Sequence, residues 1–231
     1  MKEEHIVIGI EGLVGAGKTS ICRELLNSIP NSILLHGGNL YRAIVYSLLA
    51  TGKSIEKLRK EMKNTDINQF IKTLNLEIKV ENKETVIYIN GKLVPEEELQ
   101  SEKSSYAVSA ISEVADNSQL YCFGEKLIDG LKDKYNIIFS GRAIMQIYPK
   151  TDYHFFITAS LEERVRRKCI QYKENKEEEI ERIKTMIEKR DQMQENAGFY
   201  NLSPHSITVD VTECKSAKES ANKVKKYMKL K

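Results

Sequence analysis

The chain has 231 residues, 30% of them charged, and its 36 Lys and Arg against 33 Asp and Glu leave a net charge of +3. This length suits one domain, which we expect to span residues 1–231, and the small net charge argues against a nucleic-acid partner. No apolar run approaches the roughly 18 residues that a membrane helix needs, so we expect no membrane partner.

The cysteines and the N-terminus predict a cytoplasmic protein. The four cysteines are widely separated and form no C-x-x-C pair, which argues against a zinc site and indicates reduced thiols. Residues 1–12, MKEEHIVIGIEG, are charged at the start and run directly into an apolar stretch, unlike a signal peptide. We also expect the protein to be a monomer.

A glycine-rich loop lies between a predicted strand and a predicted helix. Residues 6–10 form a β-branched apolar run typical of a buried strand, and residues 12–19, GLVGAGKT, match G-x-x-x-x-G-K-[ST] in full. Glycines let backbone N–H groups face phosphates, and the helix after them adds unpaired amides and a positive dipole end. This phosphate loop (residues 12–19) predicts a triphosphate site, with Lys18 on the β- and γ-phosphates and Thr19 on Mg²⁺.

The next segment predicts a second strand followed by helices. Residues 32–35 form a short apolar strand, and residues 36–39, HGGN, form a loop at its carboxyl end, where open α/β sheets bind ligands. The pattern then predicts helices over residues 40–50, 55–62 with Ser54 as N-cap, and 66–74.

Residues 76–94 change from helical to alternating periodicity. Residues 76–80 and 86–89 alternate apolar and polar side chains, and Asn90-Gly91 is a strong hairpin signal before residues 92–94. We interpret this segment as a small antiparallel β meander inserted into an α/β protein. The sequence leaves open whether it serves the binding site or only decorates the fold.

The second half of the chain predicts three more strands around a charged segment. The predicted elements are helices at 104–115 and 119–132, then strands at 136–139, 153–158 and 206–211. The strand at 136–139 ends in Ser140-Gly141-Arg142, again at a carboxyl end. Residues 161–190 between the last two strands are rich in charge, which is commonly only a solvated helix face. The same position also suits a mobile lid that brings arginines to a transferring phosphoryl group.

Together these motifs resemble the bacterial cytidylate kinase family of nucleoside monophosphate kinases, from about residue 6 to residue 224. The resemblance depends on the phosphate loop, GNLYRA at 38–43, Ser109, Ser140-Gly141-Arg142, ITASLEERVRRK at 157–168, Arg190-Asp191 and residues 202–212. It implies a P-loop NTPase fold of three α/β/α layers around a five-stranded parallel sheet. It also implies a substrate-side insert at 63–100, which contains the meander, and an arginine-rich helical lid at 160–190.

The family transfers the γ-phosphate of ATP to CMP or dCMP, so the resemblance implies ATP, Mg²⁺ and a small nucleotide substrate. It assigns ATP binding to Gly12, Gly15, Ala16, Gly17, Lys18, Thr19 and Ser20, with Thr19 as the metal ligand. It assigns substrate binding to Gly38, Tyr41, Arg42, Ser109, Gly141 and Arg142. It assigns catalysis to Lys18, Arg142, Arg164, Arg167 and Arg190. The sequence does not determine which arginine of residues 164–167 faces the γ-phosphate, because the helix phase is not fixed.

The chain departs from the family at several polar positions. His36 and Ser140 stand where the family has aspartates that hold or hydrate the metal ion, and Glu11 is a candidate substitute acid. The polar residues of the family's acceptor half are replaced by Gln100, Ala143, Gln194 and Ala197, and a base-contacting arginine near Ser118 is missing. The phosphate-handling half is therefore kept, while the cytosine-handling half is rebuilt.

Three functions remain open at this stage. The first is phosphoryl transfer from ATP to a nucleoside monophosphate, with CMP or dCMP as the family default. The second is a kinase of the same fold with a different small-molecule acceptor. The third is a nucleotide-binding module with weak or no catalysis, which the two missing aspartates favour and the retained lid arginines oppose.

Overall fold

The structure is a computed structural model that describes residues 5–63, 65–112 and 118–229. The strands are β1 (Val7–Gly12), β2 (Ser32–His36), β3 (Leu76–Glu81), β4 (Glu84–Ile89), β5 (Lys92–Leu93), β6 (Asn136–Ser140), β7 (Tyr153–Thr158) and β8 (Ile207–Asp210). The helices are α1 (Lys18–Ser28), α2 (Gly37–Leu49), α3 (Ile55–Met62), α4 (Ile67–Thr73), α5 (Glu96–Leu99), α6 (Glu102–Ser112), α7 (Ser118–Lys132), α8 (Ile144–Ile147), α9 (Leu161–Tyr172), α10 (Glu177–Asn196) and α11 (Ala217–Lys225). The end of the helix predicted at 104–115 lies outside the described residues.

Five parallel strands form the centre of the fold, in the order β2-β6-β1-β7-β8. Strand β1 is buried along its whole length, as its β-branched residues predict for a strand covered on both faces. The chain order reverses on the two sides of β1, which creates a crevice at the carboxyl ends of the strands. All five strands end at one edge, so the loops that follow them meet there. The predicted fold class is confirmed.

Alternate residues of the strands face two different helical layers. Ile8 and Ile10 of β1 pack with α1 and α11, whereas Val7 packs with Phe139 and with Ile128 of α7. This period-two pattern places one apolar cluster on each face of the sheet. The result is a three-layer α/β/α arrangement in which the core ends just below the carboxyl edge.

The predicted antiparallel meander is present, and it continues the central sheet. Asn82 and Lys83 form the first turn and Asn90 and Gly91 the second, all with positive φ, as two-residue hairpin turns require. Strand β4 also pairs in parallel with β2 at Leu34 and Glu84, so the described residues form one eight-stranded sheet. This pairing places Glu84 beside the end of β2.

The loop predicted at residues 36–39 does not exist. Strand β2 continues through His36, and α2 begins at Gly37 without an intervening turn. A Cβ atom on Gly37 would lie 2.2 Å from Cε2 of Phe139 in the neighbouring β6, so the chain can turn tightly only because this residue has no side chain. The tight turn presents the first turn of α2 directly at the carboxyl edge. The short helices α5 and α8, and helix α11, are further elements that the periodicity did not predict.

The charged segment folds as two helices that pack on the phosphate loop. The Ser160 side chain caps α9 by accepting a hydrogen bond from the backbone N–H of Glu163. Apolar residues of α9 and α10 then enclose one loop residue, and this cluster comprises Val14, Val165, Cys169, Ile183 and Ile187. The lid region therefore has an apolar face on the loop as well as a charged face. No helix within the described residues is both long and apolar enough to cross a membrane.

Candidate active site

A cavity of about 960 Å³ lies at the carboxyl ends of β1, β2, β6 and β8, under α9 and α10. Most of the predicted site residues line it, although they come from six separate segments of the chain. These lining residues are Gly15, Ala16, Gly17, Lys18, Thr19, Ser20, Gly38, Arg42, Ser109, Gly141, Arg142, Arg167 and Arg190. The predicted residues Gly12, Tyr41 and Arg164 do not line the cavity.

The phosphate loop keeps its shape through contacts to its backbone. The Lys18 Nζ donates hydrogen bonds to the carbonyl oxygens of Gly12 at 2.9 Å and Leu13 at 2.7 Å. The Asp191 carboxylate of α10 accepts a hydrogen bond from the Val14 N–H at 3.1 Å. Burial, and next the charge of Arg142, lowers the pKa of Lys18 well below its usual value. An anion beside Lys18 would therefore be stabilised by a poorly hydrated cation.

Gly12 and Tyr41 lie next to the cavity and serve packing. A Cβ atom on Gly12 would lie 2.0 Å from the carbonyl oxygen of Ile157 in β7, so only glycine lets β1 and β7 approach here. Tyr41 is buried in the apolar cluster around α2, and its hydroxyl has no hydrogen-bond partner among the described residues. Both residues shape the wall of the site from behind.

Arg164 is buried beneath the phosphate loop. Its guanidinium donates to the carbonyl oxygens of Ala159 and Val14, both at 3.1 Å, and forms an ion pair with Asp191. These contacts tie α9 and α10 to the loop. The prediction that Arg164 closes over a transferring group is therefore not supported, because this side chain already has protein acceptors and lies outside the cavity.

Of the three arginines at positions 164, 166 and 167, Arg166 and Arg167 line the cavity. Arg167 donates to the carbonyl oxygens of Ala16 at 2.8 Å and Val211 at 2.9 Å. Both arginines also bind the Glu163 carboxylate, and the hydrogen bond from Arg166 is the largest cause that holds the pKa of Glu163 at about 2. The Ser160 cap fixes the helix phase, which the sequence alone left undetermined.

Four cations that line the cavity lie close to one another beside the phosphate loop, and we call them the cation cluster: Arg42, Arg142, Lys168 and Arg190. Burial, and next the charge of Arg190, lowers the pKa of Arg42 to about 9 and that of Lys168 to about 8. Burial, and next the charge of Arg142, lowers the pKa of Arg190 to about 10. Like charges are thus held close together in a poorly solvated place.

The carboxylates that face the cation cluster are each paired with a different arginine. Glu96 binds Arg23, Glu102 binds Arg182, and Asp191 binds Arg164. Within the part of the chain that the structure describes, none of the four clustered cations forms an ion pair. A buried cation without a partner costs free energy, and a bound anion is the arrangement that removes this cost.

Gln194 and Ser109 orient the arginines of the cation cluster. The Gln194 Oε1 accepts hydrogen bonds from the Arg142 Nε at 2.6 Å and from the Tyr200 hydroxyl at 3.0 Å. The Ser109 Oγ accepts a hydrogen bond from the Arg190 Nε at 3.3 Å. Gln194 is one of the residues that replace polar residues of the family. In this protein its side chain contacts Arg142.

The two positions that lack family aspartates are both at the cavity wall. The His36 Nε2 lies 2.8 Å from the Glu84 carboxylate, and Arg23 binds both Glu84 at 3.0 Å and Glu96 at 2.9 Å. The hydrogen bond to His36, and then that to Arg23, lowers the pKa of Glu84 to about 2. One side-chain atom each of His36, Glu84 and Glu96 that could bind a metal ion lies within 4.8 Å of the other two. Arg23, however, already pairs with both carboxylates.

Glu11 does not replace the missing aspartates. Its carboxylate accepts a hydrogen bond from the Ile144 N–H, and its second oxygen lies 3.4 Å from the His154 Nε2. Glu11 is 3% exposed and borders a separate small cavity behind β1. Because strand side chains alternate, this residue faces away from the phosphate loop, and the proposal of a substitute metal ligand is wrong.

Lys168 and Tyr172 line the cavity although sequence reasoning did not assign them a role. Both belong to α9, and the Lys168 Nζ lies 5.0 Å from the centroid of the Tyr172 ring. Their four-residue spacing places both on one face of α9, but only the packing of α9 turns that face to the cavity.

Comparisons with known proteins agree with this geometry. Residues 8–230 match the family model described as cytidylate kinase. The chain is 26% identical to a cytidylate kinase of Alkaliphilus oremlandii over 90% of this chain and 91% of the relative. It is 29% identical to that of Symbiobacterium thermophilum over 90% and 89%, and 31% identical to that of Clostridium botulinum over 74% and 73%.

Proposed function

This chain belongs to the cytidylate kinase family and is a nucleoside monophosphate kinase, and we propose that it transfers the γ-phosphate of ATP to CMP or dCMP. The observation that carries the proposal is the cation cluster beside the phosphate loop. Four buried or partly buried cations without paired carboxylates suit a second phosphate group, one that faces the triphosphate across the cavity.

The phosphate loop suits the donor. Its backbone amides and the N-terminus of α1 bind the β- and γ-phosphates, and the Lys18 Nζ leaves the carbonyl oxygens of Gly12 and Leu13 to reach the same oxygens. Arg167 contacts the Ala16 carbonyl in the loop, which places its guanidinium at the donor side of the cavity. We assign it the neutralisation of charge on the transferring group.

The cation cluster suits the acceptor. Arg42, Arg142 and Arg190 bind the acceptor's phosphate and aim one of its oxygens at the γ-phosphorus. That oxygen forms the new bond to phosphorus, the bond from the γ-phosphorus to the β–γ bridging oxygen breaks, and ADP leaves with the bridging oxygen. Positioning and charge neutralisation supply most of the catalysis in such transfers, and these residues supply both.

The side-chain atoms around the phosphate loop that could bind a metal ion suit Mg²⁺ only in part. Thr19 and Ser140 line the cavity with hydroxyl oxygens, which suit Mg²⁺ held mainly by phosphates and water. The His36 imidazole is bound to Glu84 and offers nitrogen, which Mg²⁺ disfavours. We propose Thr19 as the protein ligand. The ion supplies neutralisation of phosphate charge when it is bound.

A kinase with a different small acceptor is the second candidate. Two observations favour it: Ala143 has no polar side chain where the family contacts cytosine, and Gln194 is already bound to Arg142. A site that lacks hydrogen bonds to a base discriminates weakly between bases. The same lining residues would serve either acceptor, since both readings need an anionic phosphate.

The test is ADP release from ATP and Mg²⁺ with CMP, dCMP, UMP, the purine monophosphates and no acceptor. We expect CMP or dCMP to give the highest kcat/KM. Faster turnover with another acceptor would replace the substrate assignment and support the second candidate. ATP binding without turnover on any acceptor, measured by thermal stabilisation, would contradict the proposed function and leave a nucleotide-binding module.

The oligomeric state, the compartment and the domain organisation are also proposed. We propose a monomer acting in the cytoplasm, with a substrate-side insert at 63–100 and a lid at 160–190 within one domain. Gel filtration with light scattering tests the first of these, and a mass of 26.5 kDa is expected for the monomer.

A further inference from the structure

Helix α9 presents two different polar faces to the cavity. Arg167 contacts the phosphate loop at Ala16, on the donor side. Lys168 and Tyr172 line the cavity too, but the charges that act on them come from Arg42 of α2, Glu102 of α6 and Arg190 of α10. One helix of the lid region therefore reaches both the donor loop and the cation cluster.

Two buried polar atoms at the cation cluster have no hydrogen-bond partner among the described residues. They are the Tyr172 hydroxyl and the Arg42 Nε. A buried polar atom without a partner costs free energy, which a bound ligand or water that donates or accepts a hydrogen bond there removes. Because both side chains line the same cavity, one ligand can satisfy both.

Lys168 adds a third donor that the protein does not neutralise. Its Nζ donates to the Gln171 side chain at 2.8 Å and lies over the Tyr172 ring at 5.0 Å. Glu102, the carboxylate that faces it, is paired with Arg182. A lysine ammonium has three donors, so this group keeps capacity for an anion.

We propose that Lys168 and Tyr172 bind the acceptor's phosphate together with Arg42 and Arg190. This inference rests on the proposed function, because it deepens the acceptor subsite of the same cavity. It assigns the two residues to substrate affinity on the acceptor side and leaves the donor to Lys18 and Arg167.

The expected effects are separable by ligand. Lys168→Met keeps the length of the side chain and removes the charge, and Tyr172→Phe keeps the ring and removes the hydroxyl. Each should weaken acceptor binding about tenfold or more, since hydrogen bonds to a phosphate are charge-assisted. ATP affinity should stay within about twofold.

Matched controls come from exposed residues of the same types. Lys184→Met removes a lysine of α10 whose side chain is 42% exposed and pairs only at 3.9 Å with Glu181. Tyr227→Phe removes the hydroxyl of a tyrosine that is 48% exposed. Neither residue lines the cavity, so both variants should bind acceptor as the unmodified protein does.

The experiment is calorimetric titration of each protein with CMP, with inorganic phosphate and with ATP, run beside the acceptor panel. Weaker CMP and phosphate binding in the two test variants, with ATP binding retained, supports the proposal. Unchanged CMP and phosphate binding overturns it, and so does a loss confined to ATP, which would place both side chains on the donor. Absence of turnover in the unmodified protein would contradict the proposed function but not this inference, because the titration with inorganic phosphate still measures binding at the acceptor subsite.

Discussion

The proposed donor side and the proposed acceptor side of the cavity are built from different parts of the protein. The donor side consists of the phosphate loop with Arg167, and its contacts are largely to main-chain atoms. The proposed acceptor side consists of side chains from α2, α9 and α10 and of Arg142, which follows β6, and these form the cation cluster and Tyr172. The first is satisfied by its own backbone, whereas the second keeps unneutralised charge and buried atoms without partners.

This difference shows where the protein stores free energy for binding. Lys18 and Arg167 have carbonyl acceptors that they can exchange for phosphate oxygens, so the loop is stable before it binds anything. The cation cluster is destabilising until an anion arrives. Substitution of Lys18 should therefore leave the fold stable, whereas substitution of Arg42 should raise its stability, and the following predictions include that contrast.

The largest expected effect is the loss of donor binding in Lys18→Ala. The variant should no longer be stabilised by ATP in a thermal melt, and kcat should fall by about 10²–10³-fold, as when one preorganised donor is removed from a charged transition state. The fold should survive, because Lys18 only bridges two carbonyl groups of its own loop. Lys53→Ala, at an exposed ion pair, is the control. Undiminished ATP stabilisation would remove the donor assignment of the loop.

The second prediction separates the two arginines that sequence reasoning could not distinguish. Arg164→Met should lower the free energy of unfolding by about 1–3 kcal/mol, because it removes the ion pair of a half-buried Asp191, which keeps its hydrogen bonds from the Val14 N–H and the Tyr200 hydroxyl. Arg167→Ala should instead lower kcat far more than it weakens ATP binding. Thermal melts and steady-state kinetics on both variants measure the contrast.

The outcome against this assignment is equally specific. Addition of Asp191→Asn to Arg164→Met should recover part of the lost stability, since it removes the orphaned charge. A normal melting temperature in Arg164→Met with a large loss of kcat would move Arg164 into the catalytic machinery. Equal losses of kcat and ATP affinity in Arg167→Ala would make Arg167 a ground-state contact.

The third prediction concerns Arg42 on the acceptor side. Arg42→Met should weaken CMP binding by about 10–100-fold, which corresponds to one charge-assisted contact. It should also raise the free energy of unfolding by about 1–2 kcal/mol, because it removes a buried cation with an unpartnered Nε. Denaturant unfolding and calorimetry measure the two effects. A destabilised variant would show that Arg42 is already neutralised within the fold.

The smallest effect is a pH dependence from Lys168. Its pKa is lowered to about 8, so the free protein has a charged Lys168 below that pH and a neutral one above it. The groups that face it are Arg190, Arg42, Glu102, the Tyr172 ring and Lys18 of the phosphate loop. Since kcat/KM reports groups of the free enzyme, kcat/KM for the acceptor should decline severalfold as the pH rises from 8 to 9.5.

Lys168→Arg provides the matched comparison for this pH profile. Arginine stays charged over the whole range, so the variant should keep its kcat/KM up to a higher pH. The ATP kcat/KM of both proteins should follow one common profile. An identical decline in Lys168→Arg would assign the basic limb to another cation, of which Lys18 is the first candidate because its pKa is also lowered.

Local sequence signals predicted most of the fold. The β-branched runs of β1, β6 and β7, the Asn90-Gly91 turn and the Ser54 position act through neighbouring atoms only, and each appears as a strand, hairpin or helix cap. The predicted loop at 36–39 failed because Gly37 turns against the ring of Phe139, about one hundred residues further along the chain. No local window contains that contact.

The candidate site was predictable where the backbone forms it and less so where side chains do. The phosphate loop could be predicted from residues 12–19 alone, because the groups that would donate hydrogen bonds to phosphate are backbone N–H groups of consecutive residues. Arg164 was assigned to the cavity by spacing, whereas its buried pairing with Asp191 depends on how α10 packs against α9. Glu11 was a candidate metal ligand from the sequence, but in β1 its side chain lies beside His154.

The family resemblance implied the parallel sheet, and the sequence by itself determined a strand-loop-helix unit with the phosphate loop, four further strands and an arginine-rich helical segment. These features depend on periodicity and on backbone conformation, which are local properties of the chain. Only the tertiary structure brought Lys168 and Arg190 together with Arg42 and Arg142, because the four residues come from separate segments and meet only once the strands share one edge. Burial then leaves them unneutralised, and that is a property of the packed protein.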